Sequence, residues 1–276
     1  MTDTINLPQV LSDSEVEQFW EQGYFLVKGV FSKEEAEYYR NLILGLIPPN
    51  LDIPEHWHVA SGRIKPHFTP GNHTYDSPDF IPLFQNEKLY AVVAQLLQSH
   101  RLRSFDGSIG ITVRNDDQRD NSRSQTLHID ASVPTDLDNF LFTLKEVQLG
   151  GCFYFTDVQP DGGGIHVVPG GHRIVESESR ADPQGRHLHN DWKQIHHLQS
   201  VEVTGEAGDF ALLHHLMPHG ASHNRRPTAR VAQFLRYVRD DHPHGAGSKP
   251  AAGLYNELQI AAMSDLGRKL LGVDPW

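Results

Sequence analysis

Residues 121–130, NSRSQTLHID, end in an H-x-D triplet, His128 and Asp130, whose imidazole and carboxylate could be two arms of a metal site. Alternate side chains of a β-strand leave the same face, so a pair at this spacing can aim at one point beside a sheet. In a chain with 18 His the triplet alone is a weak signal, and a surface pair on an ordinary strand is the competing reading. A metal that must also bind small molecules needs a third protein ligand and open positions. The 2-His-1-carboxylate set that suits ferrous iron provides both. The stretch LLHHLMPHGASHNRRPTARVAQFLRY, residues 212–237, offers His214, His215, His219 and His223 as the third arm, and chemistry does not choose among them. Zinc accepts the same donor types, so the residues constrain the metal without fixing it.

Ligands so far apart in sequence meet only if the chain folds back between them. FDGSIGITVR (105–114), QTLHIDA (125–131), CFYFTDV (152–158), GIHVVP (164–169), LQSVEVT (198–204), DFALLHH (209–215) and VAQFLRYV (231–238) read as short strands separated by Gly, Pro or polar turns. That pattern favours a sandwich or jelly roll over alternating βαβ units. The predicted fold class is therefore mainly β with flanking helices, a cupin-like double-stranded β-helix (jelly roll) with helices packed outside one sheet. We expect one domain over 1–276, its helical N-terminal part at about 1–104 and its jelly-roll core at about 105–238. Ser12 with Glu15, and Ser32 with Glu35, have capping-box spacing and predict helices on either side of a strand in GYFLVKGV (23–30). The second helix must end by Pro48–Pro49. Residues 50–79 read as a long loop, about 83–98 as a helix, 176–194 as a polar insertion near the barrel opening, and 254–271 as a closing helix.

Composition excludes several functions. The net charge of -11 gives no support for a nucleic-acid or anionic-membrane surface. No apolar run approaches the roughly 20 residues needed to cross a bilayer, and the mean hydropathy is -0.46. MTDTINLPQVLSDSE lacks the basic flank and apolar core of a signal peptide, so a cytoplasmic location is expected. The one cysteine, Cys152, rules out an intrachain disulfide framework or multi-cysteine metal site, and reads as buried filler. Gly162, Gly163 and Gly164 are turn residues, because no Lys-Ser/Thr follows them as a phosphate loop requires. The expected partner is a small molecule, and the oligomeric state stays open.

Three blocks together carry a more specific signal: HID at 128–130, DVQPDGGGIHVVPGGH at 157–172, and HGASHNRRPTAR at 219–230. They resemble the phytanoyl-CoA dioxygenase (PhyH-like) family of iron(II)- and 2-oxoglutarate-dependent oxygenases, well over about 105–238 and only in general layout before that. The resemblance implies that His128, Asp130 and His219 bind Fe(II), with 2-oxoglutarate and O2 as co-substrates. It also implies that Arg230 grips the distal carboxylate of 2-oxoglutarate through a planar two-pronged bond. Gly220 and Asn224 match the family's pattern as well. Ala221 stands where the family usually has a Ser that helps hold that carboxylate; Ser222 next door and Thr126 are further candidate contacts. Gly171 replaces the Ser of the family's PGSH turn. Related halogenases put a small residue where this chain has Asp130, so the carboxylate argues for hydroxylation or another halide-free oxidation.

The resemblance implies an oxidoreductase that releases succinate and CO2 while oxidising an organic substrate. Arg63 and His67 in the loop HWHVASGRIKPHF (56–68), Arg114 at a strand end, Phe153, and His166 are candidate substrate contacts. A polyphosphate-bearing coenzyme A thioester would call for clustered Arg and Lys, which neither 56–68 nor 176–194 supplies. A small metabolite or natural-product intermediate is therefore the expected substrate. Two other classes stay open on the residues alone: a cupin-like metal-dependent hydrolase or isomerase, and a jelly-roll ligand-binding module without catalysis.

Overall fold

The computed structural model describes residues 7–46, 63–64, 77–114, 127–129, 148–181, 198–241 and 255–276. Both predicted capping boxes form. In each, the serine side chain accepts from the backbone of the glutamate that follows, and that glutamate accepts from the serine N–H. They open helices α1 (Asp13–Gln22) and α2 (Lys33–Leu44), with strand β1 (Tyr24–Val27) between them. Helix α1 stops at Gly23, whose φ of 77° is a left-handed cap. Inside the predicted 50–79 loop, Arg63–Ile64 form a short strand, β2, and Pro78–Phe80 a 3-10 turn. The predicted 83–98 helix is divided into α3 (Ile81–Phe84) and α4 (Glu87–Leu97), because the Asn86 side chain accepts from Leu89 N and starts a new helix.

The remaining strands are β3 (Leu102–Thr112), β4 (Gln148–Tyr154), β5 (Ile165–Val167), β6 (Val201–Val203), β7 (Phe210–His214), β8 (His219–Ala221) and β9 (Arg230–Arg239). Helix α5 (Gly171–Ala181) follows β5, while α6 (Glu257–Ala261) and α7 (Asp265–Leu270) close the chain. The single closing helix expected over 254–271 is thus two, restarted by the Ser264 cap. Part of the expected polar insertion is helix α5, whose His172 and Val175 bury one face. Residues 182–197 lie outside the described residues.

The strands form a six-stranded sheet in the order β1-β7-β4-β9-β3-β2 and a three-stranded sheet in the order β6-β5-β8. Their pairings are antiparallel. Alternation sorts the large sheet into two faces. Leu149, Phe153, Phe210, Leu212, Val231, Leu235 and Tyr237 pack with Phe19, Ile43, Phe84 and Leu89 of the helices. Cys152, Tyr154, Ala211, Leu213 and Ala232 turn the other way, onto Ile165, Val167 and Val203 of the small sheet. The space between the sheets is the inside of a jelly roll, and the helices cover the outside of its larger wall. The Tyr154 hydroxyl crosses that space to donate to Val203 O at 2.8 Å and accept from Ile165 N at 3.3 Å. Burial pushes its pKa far above the ordinary phenol range, which keeps it a donor. Among the described residues, no helix is long and apolar enough to cross a membrane.

Candidate active site

The small sheet brings the first and last blocks of the sequence together. His128 and His219 exchange both backbone hydrogen bonds at 2.9 Å, one rung of an antiparallel ladder. Their rings stand side by side, 4.3 Å between centroids. Leu127 and Ile129, the flanking residues, face outward onto Val168, Val175 and Leu216, so His128 points inward. His219 is paired beyond Val167, an inward residue, and points inward too. Its Nδ1–H donates to Met217 O at 2.8 Å, which fixes the ring and its tautomer and leaves Nε2 on the barrel side. Asp130 and Thr126 lie outside the described residues. Among the described residues no group of three or more His, Cys, Asp or Glu is arranged to hold a metal ion; the two imidazoles are a pair awaiting a third donor.

His214, His215 and His172 form a separate cluster, with ring centroids 4.4 Å and 5.1 Å apart along the chain of three. His172 donates from Nε2 to Trp20 O at the C-terminal end of α1. Burial pulls both His172 and His215 down to a pKa of about 4, so both are neutral imidazoles near pH 7. His223 is half-buried and follows the end of β8.

Deeper between the sheets, Arg230 opens β9 and is 1% exposed. One guanidinium nitrogen donates to Thr112 Oγ1 at 2.9 Å, whereas Nε and Nη1 are buried with no hydrogen-bond partner among the described residues. A buried guanidinium with idle donors is costly unless an anion completes it. A carboxylate such as that of 2-oxoglutarate fits that demand. Thr112 was not singled out from the sequence, although Thr112 and Arg230 are direct partners across β3 and β9. Asn224 anchors the turn that delivers Arg230: its amide donates to Thr112 O at 3.0 Å and Thr228 O at 2.7 Å and accepts from Arg226 N.

Other expected contacts take different places. Ser222 Oγ is committed to Gly164 O at 2.7 Å and to Glu202 at 3.1 Å. Phe153 lies in the sheet–helix core against Phe31 and Phe210, on the face opposite Arg230. As part of that packed core it does not form a pocket wall. His166 pairs across from Gly220 and Glu202 on the outer face of the small sheet. Its Nδ1 meets Ser200 Oγ at 2.9 Å, and strand alternation turns it away from His219. Arg114 is exposed and its backbone bridges Asn224. Arg63 pairs through its backbone with Thr112, and His67 lies outside the described residues. A cavity of about 450 Å³ against α2, lined by Lys33, Arg40, Phe155, Asp157 and Arg226 among others, touches none of these residues.

No curated protein sequence matches the chain. Solved structures do resemble it in fold. HygX from Streptomyces hygroscopicus, with nickel, 2-oxoglutarate and hygromycin B bound, superposes with a TM-score of 0.55 at 19% identity, over 84% of this chain and 88% of its own. The alpha-ketoglutarate-dependent epimerase SnoN from nogalamycin biosynthesis gives 0.54 at 18% identity, over 82% of each chain. EctD from S. alaskensis, with 2-oxoglutarate and 5-hydroxyectoine, gives 0.51 at 18%, over 86% of this chain and 78% of its own. These likenesses agree with the jelly roll described above. Residues 19–232 match the phytanoyl-CoA dioxygenase (PhyH) family model, a span holding both inward histidines and the buried arginine, and the chain belongs to that family of iron(II)- and 2-oxoglutarate-dependent oxygenases.

Proposed function

We propose that the chain oxidises a small-molecule metabolite or natural-product intermediate, with His128, Asp130 and His219 as its iron ligands and Arg230 as the anchor of 2-oxoglutarate. The observation that carries this reading is the buried Arg230, its Nε and Nη1 without partners among the described residues, between the sheets that also present His128 and His219. Iron bound there would supply the redox chemistry that couples decarboxylation of 2-oxoglutarate to oxidation of the substrate. The chain's own part is placement. Met217 O holds His219 in one tautomer, Thr112 orients Arg230, and Tyr154 with its apolar neighbours keeps water from the inner end. Support for a small substrate comes from the sequences of 56–68 and 176–194, neither of which gathers the Arg and Lys that a polyphosphate calls for, and structures of this fold hold hygromycin B and 5-hydroxyectoine.

Anaerobic addition of 2-oxoglutarate to iron-loaded protein should give a weak visible charge-transfer band, and in air slow succinate release without added substrate. His128→Ala, Asp130→Ala and His219→Ala should each lower bound iron and abolish succinate formation while leaving the far-UV circular dichroism intact. Neither band nor succinate from the parent protein would favour a hydrolase, an isomerase or a binding module.

A further inference from the structure

The geometry points to Arg236 as the residue that selects an anionic substrate, one carrying a carboxylate; this rests on the oxygenase reading above. The position follows from the strand registers. Tyr154 faces Ala232 on β9 and reaches Ile165 of the small sheet, which pairs with Ala221. Two residues along each strand, Cys152 pairs with Phe234 and Val167 with His219. His219 and Phe234 therefore stand at about the same depth on opposite walls. Arg230 lies on the inner side of that level and Arg236 on the outer, a further two residues or about 7 Å away.

Its side chain faces inward. Arg230, Ala232, Phe234 and Arg236 alternate onto one face of β9. A Cβ built on Gly110 would meet Phe234 at 3.3 Å and Arg230 at 3.8 Å, and one on Gly150 would meet Arg236 Cγ at 3.1 Å. Glycine at 150 is what lets the arginine lie against the wall. Phe234 and Arg236 are half-buried, in contrast to Arg230 and Ala232. Val238, the next residue on this face, is buried again, so the partly exposed stretch of the inner face is confined to Phe234 and Arg236, the level beside His219. Arg103 pairs with Val238 on the same face one step further from His219, and Arg239 lies on the opposite face, so Arg236 is picked out by its place in the register. Arg236 also has an interaction within the chain, but a guanidinium carries five N–H donors and can serve a second acceptor. One guanidinium suits one planar carboxylate, whereas a polyphosphate would need a cluster. Arg230 and Arg236 would then divide the work: the inner one takes the co-substrate's carboxylate, the outer one the substrate's.

The test uses monocarboxylic acids, each paired with its methyl ester. Calorimetric binding is measured with zinc replacing iron and 2-oxoglutarate present, and substrate-stimulated succinate release with iron. Acids should bind the parent protein and stimulate it; their esters should not. Arg236→Gln should weaken acid binding on the order of ten- to a hundred-fold, as loss of a charge-assisted hydrogen bond does, and Arg236→Lys should keep the preference for acid over ester at lower affinity. Arg239→Gln removes a charge from the same strand but the other face, and should leave the preference in place. Esters binding as well as acids, no binding by any acid, or Arg236→Gln and Arg236→Lys both indistinguishable from the parent would overturn the assignment. Substrate-independent succinate from the parent separates the two ideas: its presence with no acid preference removes Arg236 alone, and its absence removes the oxygenase reading.

Discussion

At the residue scale, the distal end of 2-oxoglutarate is where this chain departs from its relatives' pattern. Ala221 shares the inward face of β8 with His219, while the neighbouring serine, Ser222, spends its hydroxyl on Gly164 O and Glu202. The residue that meets Arg230 is instead Thr112, its direct neighbour in the large sheet. Two outcomes follow from this exchange. Thr112→Val keeps the shape but removes the acceptor, so it should raise the 2-oxoglutarate concentration needed for half-maximal succinate release several-fold, with iron content unchanged. Ser222→Ala should leave that requirement near the parent value and instead cost about 1 kcal/mol of stability in a urea titration, the worth of an ordinary intramolecular hydrogen bond. A larger effect of Ser222 than of Thr112 on the co-substrate requirement would contradict the assignment.

At the element scale, the junction of α1, α5 and β7 holds the turn that leads to His219. His172, fully buried, lies against Gly23, where a Cβ would come within 2.3 Å of its ring nitrogen. Its other nitrogen donates to Trp20 O, and Arg173 donates to the same carbonyl at 2.9 Å. His214 stacks between His172 and His215. Burial holds His172 and His215 at a pKa of about 4, below the 6.5 of a solvated imidazole. The unfolded chain therefore binds more protons than the folded one between pH 4 and 6.5. The stability they confer is present in full above about 6.5 and lost as pH falls toward 4, at up to about 1.4 kcal/mol per pH unit for each. Urea midpoints measured at pH 7 and pH 5 should differ accordingly, and His172→Gln should flatten the difference. Little in the sequence marks this junction. Helix α5 falls in a stretch rich in Glu, Ser and Arg, and it is helical because one narrow stripe finds a partner in α1 and β7, a tertiary fact. The two capped helices near the N-terminus were legible for the opposite reason, since their start signals are local.

At the scale of the whole molecule, legibility divides along the same line. The strand series and the H-x-D triplet are local patterns; the first was enough to give the jelly roll, and the second to nominate one arm of the proposed site. Choosing His219 over His214, His215 and His223 took the surrounding HGASHNRRPTAR pattern, because imidazoles differ only in what the fold places beside them. Which face each residue takes was recoverable from alternation once one anchor was fixed. Counting by twos from Arg230 reaches Arg236, and counting by twos from Tyr154 passes over Phe153. The distance between the two walls was not recoverable, since it depends on how the sheets stack. Tyr154 bridges it: from the large sheet it donates to Val203 O and accepts from Ile165 N in the small one. His128 and His219, the proposed ligands, stand on the small sheet's side and Arg230 on the large sheet, so a molecule spanning both must match that spacing. Tyr154→Phe leaves the ring in place but strands a buried carbonyl and an amide, a cost of about 1–3 kcal/mol. Thermal unfolding should shift down accordingly. If Tyr154 also spaces the walls, the variant should bind 2-oxoglutarate more weakly while retaining zinc, whose histidine ligands share one sheet. Equal weakening of metal and 2-oxoglutarate would mean that the hydroxyl supports the fold as a whole and leaves the spacing to other contacts.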